Sequence, residues 1–187
     1  MMEQKTMSNI ENIILFQTGW LACVLGALYV NPMTGVIYAF CFIAYHLYLH
    51  KQPLNELVFI LIVTVIGYLI DSQLVRYGYF KYYDHQDWIM APLWIAALWA
   101  MFSTTIGRSL SWLSNRLAIA VMLGAIFGPV AYYSAAEIGA VAVLKNKQGL
   151  YIQSLIWAVM MPVMFRLYEF TKNADFSILK GKRNELG

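Results

Sequence analysis

Asp71 is the residue whose position most needs a chemical explanation. It ends the run Val65-Ile66-Gly67-Tyr68-Leu69-Ile70-Asp71, so its carboxyl lies within an apolar stretch, toward one end. An ionisable group at membrane depth costs at least about 2.5–3.5 kcal/mol on insertion scales, so it needs a partner or a task. Thr64, Gly67 or Tyr68, and Asp71 recur at three- and four-residue spacing and share one helical face. Glu137 closes another apolar stretch, just past Tyr132-Tyr133-Ser134. Asp71, Tyr68, Trp94, Tyr132, Tyr133 and Glu137 are therefore the residues expected to line one polar cavity. Two carboxylates in such a cavity divide acid and base roles when their environments push their pKa values apart. The competing reading is that Asp71 caps the following loop or pairs with Arg76. The spacing leaves open whether Asp71 and Glu137 meet.

A second cluster has metal-ligand chemistry. His46 and His50 are four residues apart on one helical face, and Glu56 follows after a short turn. Two imidazoles and a carboxylate are ligand types for zinc or iron. They also describe an ordinary helix end, where the dipole favours histidine near the C-terminus. No metal and no cofactor is expected. Asp84, His85 and Asp87 form a thinner cation-binding candidate in the loop Arg76–Trp88, whose tyrosines, phenylalanine and tryptophan otherwise read as an interfacial aromatic belt or a lid. Cys23 and Cys41 lie in apolar stretches and read as small packing residues, with a buried disulfide as the alternative. Gln17 is expected to bond across to a neighbouring helix.

The elements that position these residues are apolar stretches. The 187-residue chain is 60% hydrophobic and only 12% charged, against about 25% charged in soluble domains. Six stretches approach the ~20 residues needed to cross a bilayer as a helix. They run at about 10–30, 34–49, 54–75, 89–106, 117–136 and 150–167. The expected architecture is an all-α, six-helix polytopic membrane bundle occupying the chain as one domain, residues 1–187. The first stretch reads as a retained helix, since its apolar run is long for a signal and Glu3 and Glu11 dilute its flank. Nine basic residues (Lys5, Lys51, Arg108, Arg116, Arg166, Lys172, Lys180, Lys182, Arg183) fall on the side of the termini. Four (Arg76, Lys81, Lys145, Lys147) fall on the other. This asymmetry puts both termini in the cytoplasm. A net charge of +3 is explained by topology and gives no reason to expect nucleic acid.

Small residues describe the packing. Gly124 and Gly128 form a Gly-x-x-x-Gly pair that lets helices approach. Gly128-Pro129 and Pro162 mark expected bends.

Phe16-Gln17-Thr18-Gly19-Trp20, Gly67 to Asp71, Pro92 to Trp99, and Gly124 to Tyr133 together resemble a family of small bacterial inner-membrane proteins, domain of unknown function 2878. The resemblance runs from about Asn9 to Leu167. It implies a multi-pass location in the bacterial inner membrane and supplies no catalytic residues. Members of the family tend to be encoded near lipid-modifying enzymes, which implies a lipid connection.

Three functions compete. The first is an accessory protein that holds a membrane lipid or isoprenoid and presents it to a membrane-associated enzyme. The second is a lipid-modifying enzyme using Asp71 with Glu137 or tyrosines. The third is a small transporter, although no inverted repeat is visible. The charge asymmetry is directly testable. A reporter fused after Gly187 should be active only if it is of the cytoplasmic type, and periplasmic activity from the expressed fusion would reverse the orientation.

Overall fold

The computed structural model describes residues 6–85 and 89–175. Lys5, Asp87, Trp88, Lys180, Lys182 and Arg183 lie outside the described residues, as does the side chain of His85. Six long helices carry the fold: α1 Asn9–Leu25, α2 Met33–Tyr48, α3 Pro53–Arg76, α4 Leu93–Ile106, α5 Leu117–Ile138 and α6 Gln148–Asn173. Two three-residue strands, β1 Phe80–Tyr82 and β2 Val141–Val143, pair antiparallel.

Local rules fix most boundaries. Ser8 and Glu11 form a capping box at the start of α1, each side chain bonding the other's backbone N–H. That arrangement satisfies two of the donors orphaned at a helix start. Pro53 opens α3, where a missing N–H costs nothing. Pro92 holds α4 back to Leu93, so the fourth helix begins four residues later than the hydropathy predicts. Gly139 ends α5 with φ +100°, a left-handed conformation that favours glycine. The sixth helix runs to Asn173, six residues past its apolar core.

Four helical segments among the described residues are long and apolar enough to cross a membrane, Asn9–Val30, Pro53–Arg76, Leu117–Ile138 and Lys145–Asn173. The chain is a membrane protein. The other two apolar helices are shorter. At 1.5 Å per residue, 16-residue α2 and 14-residue α4 span only about 24 and 21 Å against a core of about 30 Å.

The helices alternate in direction. Asn12 at the start of α1 donates to Thr104 Oγ1 at the end of α4, 3.1 Å, and accepts from Ser109 at 2.7 Å. Asn55 at the start of α3 donates to the carbonyls of Thr171 and Ala174 at the end of α6, 2.8 and 2.9 Å. The described chain ends therefore share one end of the bundle, here the terminal end. The paired strands close the other, the hairpin end.

α4 is the axis. Ten of its 14 residues are buried, and α1, α2, α3 and α6 pack on it. Its Ser103, Thr104 and Thr105 hydroxyls donate back to carbonyls three residues earlier at 2.6–2.8 Å. A polar run is thereby carried through the centre without orphan donors. α5 packs chiefly on α6. Its Pro129 has no N–H for the carbonyl of Ala125, and Ser154 of α6 supplies the missing donor at 2.7 Å.

A column of flat rings against glycines sets the central packing. A Cβ on Gly67 would fall inside the Trp99 indole. Trp99 stacks on Trp157 with centroids 4.7 Å apart and planes 7° from parallel. Trp157 in turn lies on Gly128, while its carbonyl stands 2.5 Å from where a Cβ on Gly124 would sit. The Gly-x-x-x-Gly pair thus serves as the seat of one tryptophan. Gly67→Ala and Gly128→Leu should each lower stability by about 1–3 kcal/mol, since each displaces an indole out of the Trp99–Trp157 stack. Ile126→Ala, at a position 53% exposed on the outer face of α5, should be mild. Thermal unfolding in detergent checks this, and Gly128→Leu matching wild type would refute the column.

Candidate functional site

Asp71 lies in the last two turns of α3 and is 1% exposed. Three neutral donors from three other helices surround it. Trp99 Nε1 of α4 donates at 2.6 Å. The Tyr132 hydroxyl of α5 stands 2.7 Å from both carboxylate oxygens. Gln153 Nε2 of α6 donates at 3.0 Å. Each charge-assisted bond is worth roughly 1.5–3 kcal/mol, so two of the three already offset an insertion cost of about 2.5–3.5 kcal/mol. Neither the loop cap nor an Arg76 pair describes Asp71, and Arg76 is exposed. Gln153 and the adjacent Ser154 interrupt the apolar part of α6, and that was the only signal Gln153 gave. Trp99 gave no signal beyond its place in a conspicuous tryptophan-rich run.

The expected polar cavity is only partly assembled. Tyr132 joins Asp71. Tyr133, the next residue around α5, faces elsewhere and bonds Glu137, and both are exposed. Tyr133 and Glu137 instead line a groove of about 510 Å³ with Lys81, Tyr83 and Lys147. Tyr68 donates to the carbonyl of Ala91 at 2.8 Å. Trp94 Nε1 lies 3.2 Å from both carboxylate oxygens of Asp84. Helical rotation of 100° per residue explains the split, because 132 and 133 cannot share a narrow face.

Within the described part of the aromatic loop, β1 packs inward instead of forming an exposed belt or a free lid. Phe80 and Tyr82 of β1 are 1% exposed, and alternation along the strand leaves Lys81 outside. Phe80 packs on Tyr132 at 5.3 Å and Tyr82 on Trp94 at 5.3 Å. Burial holds the Tyr82 phenol well above its ordinary pKa, and the carboxylates of Asp71 and Asp84 push it the same way. Its hydroxyl is buried without a hydrogen-bond partner.

Beside this cluster lies a cleft of about 630 Å³, within the usual range of about 300–1,000 Å³ for small-molecule sites. α1 and α5 form its walls, and α4 and α6 its floor. Trp99 and Tyr132 belong both to the carboxylate cage and to the cleft surface. Trp94 lines the cleft, and so does Gln17, which faces this space from α1. No Asp, Glu, Lys or Arg lines it.

At the terminal end the histidine cluster forms as hydrogen bonds. His46 Nε2 is 2.8 Å from Glu56 Oε1, and His50 Nε2 is 3.4 Å from Oε2. The two rings stack at 5.7 Å. Burial lowers the His50 pKa, while the Glu56 carboxylate acts against that shift. Among the described residues no group of three His, Cys, Asp or Glu side chains has the arrangement to hold a metal. Cys23 is buried, Cys41 is exposed, and both are free thiols, so the disulfide alternative falls.

Removing one member of the Asp71 cage should affect the others. Asp71→Asn should cost about 1–3 kcal/mol, because it turns an acceptor toward three donors into a mixed group. Tyr132→Phe should cost less, and the double variant should show a coupling of about 0.5–3 kcal/mol. Arg76→Gln should stay within about 0.5 kcal/mol. Additive losses in a thermal double-mutant cycle would contradict a shared cage.

Compared with known proteins, residues 9–163 match the family described as "Protein of unknown function (DUF2878)". No curated protein and no solved structure matches the chain.

Proposed function

The chain belongs to the DUF2878 family, and for this member we propose that it binds a membrane lipid in the cleft between α1 and α5 and presents it to an enzyme acting at the membrane. The observation that carries this reading is the cleft itself: an aromatic-walled space with no charged lining residue, in a protein whose surface is apolar over four long helices. Phe127 and Val130, 61% and 47% exposed, stand on the α5 wall, so a chain in the cleft has apolar side chains at its edge. Small residues Gly124, Gly128 and Ala131 on the same wall leave room for it.

In this reading all six helices lie in the bacterial inner membrane with both termini cytoplasmic. The short helices α2 and α4 are compatible with that arrangement, since buried α4 meets neighbouring helices more than lipid. The hairpin end, with Asp71 and the paired strands, then faces the periplasm. Glu56 and its histidines face the cytoplasm and tie α2 to α3. The Asp71–Tyr132 pair at the cleft wall keeps an enzymatic alternative in view, with Tyr132 as the group that touches substrate and Asp71 as the group that positions it. Glu137 has no part in that alternative.

Native mass spectrometry of protein purified in mild detergent should find a retained lipid. Ala131→Trp, which fills the α5 wall of the cleft, should lose that lipid while helix content by circular dichroism stays unchanged. Wild-type protein free of lipid, or lipid retained equally by the filled variant, would overturn the assignment.

A further inference from the structure

The groove of about 510 Å³ lies at the hairpin end, between the paired strands and the adjoining ends of α5 and α6. Independently of what the cleft binds, we propose that this groove holds the head of a membrane phospholipid, its phosphodiester on Lys81 and Lys147 and its acyl chains along the outer faces of α5 and α6. Charge identifies the head. Among the described residues the charged lining is Lys81, Lys147 and Glu137, so two ammonium groups less one carboxylate leave a net charge of +1. A phosphodiester carries one negative charge and balances it. A phosphomonoester carries about −1.5 to −2 at pH 7 and exceeds it.

The fold holds both lysines at the groove. Lys81 is the outward residue of β1, opposite Ala142 of β2. Lys147 ends three consecutive left-handed residues, Lys145, Asn146 and Lys147, with φ of 52°, 51° and 64°. That conformation costs most side chains roughly 1–2 kcal/mol, so it persists only where the surroundings enforce it. Lys145 ties the turn down by donating to the Tyr77 carbonyl and lying 4.5 Å from the centre of the Tyr79 ring. Lys147 Nζ is thereby set 5.3 Å from the centre of the Tyr133 ring, and Tyr133 bonds Glu137. Beyond the groove the same two helices are apolar and open. Lys147, Tyr151, Leu155 and Val159 recur every four residues on α6, and the last three are exposed. Tyr133 continues through Pro129 to exposed Ile126 and Met122 on α5. The Ser154–Ala125 bond joins the two helices beside these rows, and Trp157 with Gly128 lies on its other side, toward the cleft. A phospholipid on this seam has apolar side chains for its acyl chains. Its phosphate meets the lysines where both spans leave the apolar layer.

The test titrates the full-length protein in mild detergent with dioleoylphosphatidylglycerol, or with dioleoylglycerol, which has the same chains and no phosphate, and counts bound lipid by native mass spectrometry. The Lys81→Gln/Lys147→Gln variant should bind the phospholipid about ten- to thirtyfold more weakly than wild type and dioleoylglycerol unchanged. Lys172→Gln, an exposed lysine at the terminal end, should match wild type. Glu137→Gln should tighten the phospholipid severalfold, because it removes the like charge from the lining. Ala131→Trp, which fills the cleft, should bind the phospholipid as wild type does. No loss in the double lysine variant, or an equal loss of both lipids, overturns the phosphate site. Weaker binding by Glu137→Gln overturns the charge balance. Loss of the phospholipid in Ala131→Trp puts that lipid in the cleft and overturns the groove. Displacement by inorganic phosphate at equal concentration makes the site one for free phosphate and overturns the lipid.

Discussion

A carboxylate buried where water cannot solvate it must be answered by the protein, and the answer to Asp71 ties the bundle together. Its donors come from α4, α5 and α6, while the acid itself is on α3. One interaction therefore fixes the relative height and rotation of four helices. Apolar packing between membrane helices is poorly directional, since lipid tails compete for the same contacts. A caged acid is directional, because each donor must arrive at a defined distance and angle. The indole column depends on the same arrangement. Trp99 lies against Gly67 with its N–H on Asp71 only if α3 and α4 meet at one register. Trp157 then stacks on it and takes its seat on α5.

The cleft follows from this geometry. α5 is held through α6 and through the Tyr132 hydroxyl, and a space lies between it and α1 where Gly124, Gly128 and Ala131 leave room. The carboxylate cage and the cleft surface thus share residues. Trp99 and Tyr132 face the carboxylate with their polar atoms and the cleft with their rings.

The terminal end is held differently. Glu56 joins two histidines, Asn12 joins Thr104 and Ser109, and Tyr45 donates to Glu11 at 2.7 Å. Each network links helices that are neighbours at that end, and each uses residue types that suit a helix end. The His-x-x-x-His spacing brings both imidazoles onto the one carboxylate of Glu56. The hairpin end relies instead on β1 and β2, whose backbone pairing brings Phe80 and Tyr82 down onto Tyr132 and Trp94.

Runs of apolar residues located the six long helices from the sequence, because hydropathy acts over a few neighbouring positions, although Pro92 moved the start of α4. The need for an explanation at Asp71 was legible for the same reason: one charge in an apolar run is conspicuous wherever the chain folds. The seat-like role of Gly124 and Gly128 was legible as close approach, without the identity of what approached. Only the tertiary structure decided the partners. Trp99, Tyr132 and Gln153 lie 28, 61 and 82 positions from Asp71, and no local periodicity links such distances. The same limit misassigned Glu137 and Tyr133, which sit at the right depth on the wrong face. Depth in a membrane is read from position along a helix, whereas facing depends on which neighbours the helix packs against, and that depends on all six together.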